Sequence, residues 1–227
     1  MATTLRWLGH ACWMVTADGT NILVDPFLND SPTAPVKAAA VRPDFVLVSH
    51  GHFDHVGDAA TIAKAANATV VSNYEICEWL GKQGVVQTQP MNTGGSIELP
   101  FGRVKLTIAF HSSVLPDGAS GGNPSGFLLT LRDGNIYFAC DTGLFYDMKL
   151  IGAAGIDLAV LPIGDRFTMG PDDALEAVKL LSPKRVVPSH YNTWPPIAQD
   201  PHPWAARVRA ETKAEPIVLE PGGTLTL

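Results

Sequence analysis

Ten consecutive residues, Ser49 to Asp58 (SHGHFDHVGD), hold three of the chain's seven histidines and two aspartates. His-x-His puts two imidazoles on the same side of an extended segment, because side chains alternate with period two. His50 and His52 can therefore share one metal ion. Asp54 and His55 are adjacent, where the chain turns toward a helix, and from a turn they can face a second ion nearby. Imidazole and carboxylate ligands suit Zn, Fe, Mn or Ni. Gly57 lets the backbone tighten just after them. A lone His or Asp is ordinarily a surface or hydrogen-bonded residue. His-x-His-x-Asp-His as a unit is hard to read that way.

Other residues of these types stand at the ends of apolar runs. Asp25 follows Ile22-Leu23-Val24, and His50 follows Phe45 to Ser49. His111 follows Leu106 to Phe110, Asp141 follows Ile136 to Cys140, and His190 follows Arg185 to Ser189. Ligand sites in α/β sheets form at strand carboxyl ends, and rigid strands hold functional groups to the tolerance chemistry needs.

The elements that must position them are short, β-branched-rich runs bounded by Gly, Pro, Asp or Asn. They predict strands at 22–24, 45–48, 69–71, 106–110, 126–131, 136–140, 158–161, 185–187, 217–219 and 224–227. Helices are predicted at 58–66, with Asp58 as N-cap, and at 74–82, 172–181 and 203–213. Arg132 to Asn135 reads as a hairpin turn. Leu115 to Ser125, rich in Gly, Pro and Ser, reads as a mobile surface loop. Some strand pairs are hairpins and others flank helices. The fold class is therefore α/β, two mixed sheets packed together with helices outside, and residues 1–227 form one domain with no linker. Val48-Ser49-His50 and Pro188-Ser189-His190 echo one another at two strand ends.

The composition is ordinary globular: 46% hydrophobic and 17% charged over 227 residues, which excludes a disordered tail or a coiled coil. A net charge of -6 with no Lys/Arg cluster argues against nucleic-acid binding. No apolar run approaches the ~20 residues of a membrane span, and the first ten residues do not resemble a signal peptide. Cys12, Cys77 and Cys140 are widely spaced and read as reduced core thiols. The expected setting is cytoplasmic and soluble, with no membrane partner. A homo-oligomer stays open.

At this point the chain resembles the metallo-β-lactamase fold superfamily, whose ordered motifs match Asp25, His50-x-His52-x-Asp54-His55, His111, Asp141 and His190. Trp7-Leu8-Gly9-His10-Ala11, Asp141-Thr142-Gly143, Pro162-Ile163-Gly164-Asp165 and His190-Tyr191-Asn192-Thr193 resemble the branch of metal-dependent hydrolases related to ascorbate-6-phosphate lactonase. The resemblance implies a four-layer αββα sandwich. It implies His50, His52 and His111 on one metal ion, Asp54, His55 and His190 on a second, and Asp141 bridging both. Asp25 would orient a ligand histidine. His10, Asp165 and Tyr191 become candidate substrate contacts, each with a structural alternative: a bonded strand residue, a turn cap and a packing residue. His202 reads as surface.

The function so implied is hydrolysis of a small-molecule ester, lactone or phosphoester by a hydroxide generated on two divalent ions, Zn²⁺ or Mn²⁺. Asp54 or Asp141 would hold or shuttle the proton. No Ser or Cys nucleophile is needed, so Ser112 and Ser113 read as pocket lining. Rival readings are a metal-dependent phosphodiesterase or nuclease, which the charge disfavours, and a non-catalytic metal-binding protein, which would need only four ligands.

Overall fold

The computed structural model describes residues 2–227. Along the chain, β1 (Thr4–Trp7), β2 (Trp13–Ala17), β3 (Thr20–Val24), β4 (Phe45–Leu47), β5 (Thr69–Asn73) and β6 (Thr88–Met91) build one sheet. β7 (Ser96–Leu99), β8 (Gly102–Ile108), β9 (Ser125–Leu131), β10 (Gly134–Phe138), β11 (Leu158–Pro162), β12 (Arg185–Ser189) and β13 (Glu215–Pro216) build the second. β14 (Thr224–Thr226) returns to the first sheet, beside β1. The orders are β14-β1-β2-β3-β4-β5-β6 and β13-β12-β11-β10-β9-β8-β7.

Strict alternation of apolar side chains explains the layering. Ile22 and Val24 of β3 enter the core between the sheets, and Leu23 faces the other way. Leu47 and Val71 point between the sheets, while their neighbours Val46 and Val70 point outward. Strands covered on both faces need apolar residues at successive positions. The outer face of the first sheet is covered by α2 (Ala59–Ala66) and α3 (Tyr74–Lys82), whose Ile62, Ile76 and Leu80 meet Val46 and Val70. The short α1 (Phe53–Val56) precedes them. α4 (Met148–Gly152), α5 (Pro171–Leu181) and α6 (Pro201–Glu211) flank the second sheet. The result is the expected αββα sandwich.

Both sheets share one pairing pattern. Reading β14 to β6, three antiparallel pairings give way to three parallel ones at β3. Reading β7 to β13, the same change occurs at β10. Asp25 lies just past the end of β3, and Asp141 lies past β10. A change of strand direction opens a crevice at the carboxyl ends, where ligands bind in α/β sheets.

Several expectations need correction. Residues 217–219 are not a strand. Pairing along β12 stops at Pro216, Ile217 N makes one more bond to Val186 O (2.8 Å), and the chain then leaves for β14. Strands β1, β2, β6 and β7 are additional to the expected set, although β2 carries the short apolar run Trp13-Met14-Val15; β6 and β7 are half-exposed edge strands. Asp58 does not cap α2 with its side chain. Its carboxylate turns back to accept from Leu28 N (2.7 Å), Asn29 N (2.9 Å) and Asn29 Nδ2 (2.7 Å). The last helix starts at Pro201 and ends at Glu211. The loop at 115–125 is largely exposed but anchored: Leu115 is buried, and Asn73, the N-cap of α3, donates to Gly121 O and Asn123 O.

Among the described residues no helix is long and apolar enough to cross a membrane. Cys12, Cys77 and Cys140 are free thiols, the first two buried and the third half-buried.

Candidate metal centre

Six of the seven histidines, all but His202, converge with Asp25, Asp54 and Asp141 at the carboxyl ends of the strands. The backbone is strained to bring them there. His10, Asp25, Cys140 and His190 have φ of 50°, 45°, 52° and 54°. Left-handed backbone at a non-glycine residue costs about 1–3 kcal/mol and persists only where surrounding structure imposes it. Four such residues around one cluster mark a place built for chemistry rather than stability.

Three imidazoles meet at the open side. His50 Nε2 lies 3.0 Å from His52 Nδ1, and His111 Nε2 lies 3.2 Å from the same atom. Nitrogens sharing a tetrahedral ion at bonds of about 2.0–2.1 Å stand about 3.3 Å apart, so this trio fits one cation. Burial, with the neighbouring His55 next, pushes His50 well below the usual histidine range. Burial likewise lowers His52 and His111. Neutral imidazoles leave lone pairs free for a cation.

A deeper group comprises Asp54, His55, His190 and His10. Asp141 stands between the two groups. Its Oδ2 is 3.0 Å from His190 Nε2, 3.3 Å from His55 Nε2, 3.6 Å from His111 Nε2 and 4.0 Å from His50 Nε2. Burial works against a charge on Asp141 but is outweighed by His190 and His55, so it stays ionised. His55 shows the reverse balance. Burial opposes its cation, yet Asp141, Asp25 and Asp54 together hold it well above the ordinary range. Carboxylates that draw a proton there draw any cation there.

Nε2 of His55, both ring nitrogens of His190 and Oδ1 of Asp141 are buried without an aligned hydrogen bond. Unpaired buried polar atoms are costly and rare. An ion seated among them would satisfy several at once, so the donor set fits a divalent metal.

Partners behind the cluster set which ring atom faces in. Asp25, wholly buried, accepts from Ser49 N (2.7 Å), Ser49 Oγ (2.6 Å) and His55 Nδ1 (2.9 Å). Ser49 Oγ also meets His50 Nδ1 at 2.9 Å. These contacts leave Nε2 of both histidines facing the cluster. Ser112 Oγ lies 3.3 Å from His52 Nε2, and Ser113 Oγ accepts from Gly51 N. Thr142 accepts from Phe110 N and so steadies the approach to His111. Ser49 and Thr142 stand in the sequence within Val48-Ser49-His50 and Asp141-Thr142-Gly143, but their supporting bonds around the candidate ligands emerge only in the structure.

Of the three candidate substrate contacts, His10 belongs to the deeper group and Tyr191 adjoins His190. His10 is 0% exposed and bonded at both ring nitrogens. Tyr191 is buried with its ring stacked on Trp7, 5.4 Å between centroids. Asp165 is exposed, and its carbonyl accepts from Phe167 N and Thr168 N in a tight turn. Tyr191 has the packing place and Asp165 the turn place that were their structural alternatives, while His10 is bonded in the turn after β1 rather than in a strand. His202 is exposed on α6.

A family model described as "Beta-lactamase superfamily domain" matches residues 20–191, which span the run at 50–55 and end just past His190. The chain belongs to this family. Within it, a UPF0173 metal-dependent hydrolase of Pelotomaculum thermopropionicum is 48% identical over 228 residues, covering 98% of this chain and 99% of the relative. One from Desulforamulus reducens is also 48% identical, with the same coverage. The solved structure of Igni18, a metallo hydrolase from Ignicoccus hospitalis, superposes with a TM-score of 0.91 at 36% identity, covering 100% of this chain and 99% of that one. The chain is thus a member of the metallo-β-lactamase superfamily and a close relative of metal-dependent hydrolases along its whole length.

Proposed function

We propose that the protein is a two-ion hydrolase that cleaves a small, uncharged carboxylic ester or lactone. The observation that carries this is the set of buried atoms without aligned hydrogen bonds on His55, His190 and Asp141 beside the imidazole trio of His50, His52 and His111. One ion would take that trio, a second would take Asp54, His55 and His190, and Asp141 would face both. Zn²⁺ and Mn²⁺ both suit these nitrogen and oxygen donors. Such ions supply hydroxide at neutral pH and polarise the substrate oxygen.

The chain's own groups do the rest. Asp54 is 13% exposed, and although burial opposes its charge, His55 and His10 hold it below the usual carboxylate range. It can accept a hydrogen bond from the attacking water and fix its direction. Hydrolysis adds the water oxygen to the carbonyl carbon, breaks the acyl C–O bond and leaves one proton on the departing alcohol. His52 and Ser112, on the exposed side, stand where that alcohol would leave.

The surroundings favour an uncharged substrate. A cavity of about 350 Å³ beside His111 is lined by Thr93, Ile108, Ala109, Phe110, Asn123 and Pro124, with no Lys, Arg, Asp or Glu. Phe53 and Phe110, each next to a candidate ligand, are both 58% exposed, and Phe167 is 55% exposed. Exposed aromatics in such positions mark binding surfaces. No Lys or Arg stands among residues 49–58, 109–113, 139–143 or 189–193, which carry the candidate ligands. A phosphorylated substrate or a nucleic-acid backbone would call for such cations. The free thiols fit a reducing cytoplasm.

The test is metal analysis of the purified protein, joined to a screen of neutral esters, lactones and phosphodiesters with added Zn²⁺ or Mn²⁺. Two ions per chain and chelator-sensitive turnover of an ester or lactone are expected. Fewer than one ion per chain, or turnover that survives chelation, overturns the reading.

A further inference from the structure

We propose that His10 is a positioning residue for the deeper cation site, holding Asp54 in place through a Thr193–His10–Asp54 chain of hydrogen bonds. The proposal rests on the two-ion reading above. His10 Nε2 lies 3.0 Å from Asp54 Oδ2, and His10 Nδ1 lies 2.7 Å from Thr193 Oγ1. An ionised carboxylate only accepts, so Nε2 carries the hydrogen and Nδ1 accepts from the threonine hydroxyl. Asp54 therefore selects the tautomer, and Thr193 satisfies and anchors the other ring nitrogen.

The rest of the local structure serves this aim. The turn between β1 and β2 forces His10 to φ 50°. Its carbonyl accepts three donors: Trp7 Nε1 (2.9 Å), Ser189 Oγ (3.0 Å) and His190 N (3.1 Å). Those bonds lash a hairpin of the first sheet to the end of β12 in the second. The ring is walled by His190, Trp194 and Phe27, with centroids at 4.1, 5.0 and 5.7 Å. No substrate reaches it, and no rotation is open to it.

Asp54 needs such a hold. It sits in α1, a helix of four residues, and is the most exposed member of the deeper group. Its Oδ2 is 3.8 Å from His55 Nε2 and 3.9 Å from His190 Nε2. Held by His10, that oxygen stays aimed at the same point as the two imidazoles. Outer partners of this kind typically change metal affinity 10–100-fold.

The experiment is a Zn²⁺ competition titration of the full chain against a chromophoric chelator, with His10→Gln and Thr193→Val beside the wild type. One of the two Zn²⁺ ions should lose at least about 10-fold in affinity in H10Q, and less in T193V. The other ion should keep its affinity in both, and the melting temperature of metal-free T193V should stay near wild type. T193V carries the test if H10Q does not fold. Wild-type affinity for both ions in T193V and in any folded H10Q overturns the proposal alone. So does complete loss of one ion in H10Q with T193V unchanged, which would make His10 a direct ligand. A wild type that holds one ion overturns the two-ion reading and this proposal together.

Discussion

Asp25 Oδ2 accepts a hydrogen bond from His55 Nδ1 at 2.9 Å, with both side chains wholly buried. Asp25 also takes both donors of Ser49, so one carboxylate orients the roots of two candidate ligands, His50 and His55. Asp25→Asn replaces one acceptor oxygen by a donor that faces other donors. It should lower affinity for added Zn²⁺ by about 10–100-fold while leaving the ligands in place. A calorimetric Zn²⁺ titration reads this directly. Unchanged affinity would remove Asp25 from any role in the site.

Acid should weaken the metal-free protein in two stages. Burial lowers His10 from 6.5 to about 3, and His50, His52 and His111 are lowered too. The unfolded chain then binds protons that the folded one refuses, so stability falls as pH drops below about 6.5. Full titration of His10 is worth at most about 5 kcal/mol at 1.36 kcal/mol per unit. Asp54 and Asp141, held below the usual carboxylate range, add a second loss below about pH 4. His55 works oppositely: held above its usual value, it contributes stability at low pH that is lost as pH rises. Thermal melts in chelator from pH 8 to 4 should show the melting temperature falling on the acid side. A flat or rising profile between pH 6.5 and 4 would contradict the burial of these neutral imidazoles.

Gly164 sets the position of His190. It is buried, and a Cβ added there would collide with the His190 carbonyl oxygen and touch Ile197. That oxygen belongs to backbone with φ 54°, so it has little room to yield. Gly164→Ala should cost about 1–3 kcal/mol through overpacking and weaken Zn²⁺ binding by displacing His190. Paired melting and titration curves test both. A normal melting temperature and normal affinity would mean that the strand end accommodates the methyl.

The legible parts of the sequence were those whose logic is local. The run at 50–55 declares itself because alternation sets the directions of His50 and His52 within three residues. The central strands declare themselves because both faces are buried, so Phe45 to Val48 is apolar throughout. The pairing of His10 with Asp54 spans 44 residues and depends on a left-handed turn that Gly9-His10-Ala11 does not advertise. The edge strands β6 and β7 were silent because only one side of each meets the core, leaving Thr88-Gln89-Pro90-Met91 without an apolar pattern. Asp58 misled because a residue at an N-cap position can spend its carboxylate on distant backbone instead.

The last prediction concerns what the site accepts. Phe110 stands beside His111 with its ring 58% exposed, leaning on Phe145 at 5.3 Å and lining the uncharged cavity. Phe110→Ala removes apolar surface that only a substrate would cover, so it should cost the fold little. An ester whose acyl chain reaches that ring would lose roughly 1.5–3 kcal/mol of binding, the worth of a buried aromatic side chain. That is about 10–150-fold in kcat/KM, while an acetyl ester, too short to reach, should be nearly unaffected. Zn²⁺ content should match wild type. Measuring kcat/KM across acetyl, butyryl and octanoyl esters separates the two effects. Equal losses on all three would move Phe110 from specificity to the support of His111, and a wild-type preference for charged phosphoesters would sink the uncharged-substrate reading itself.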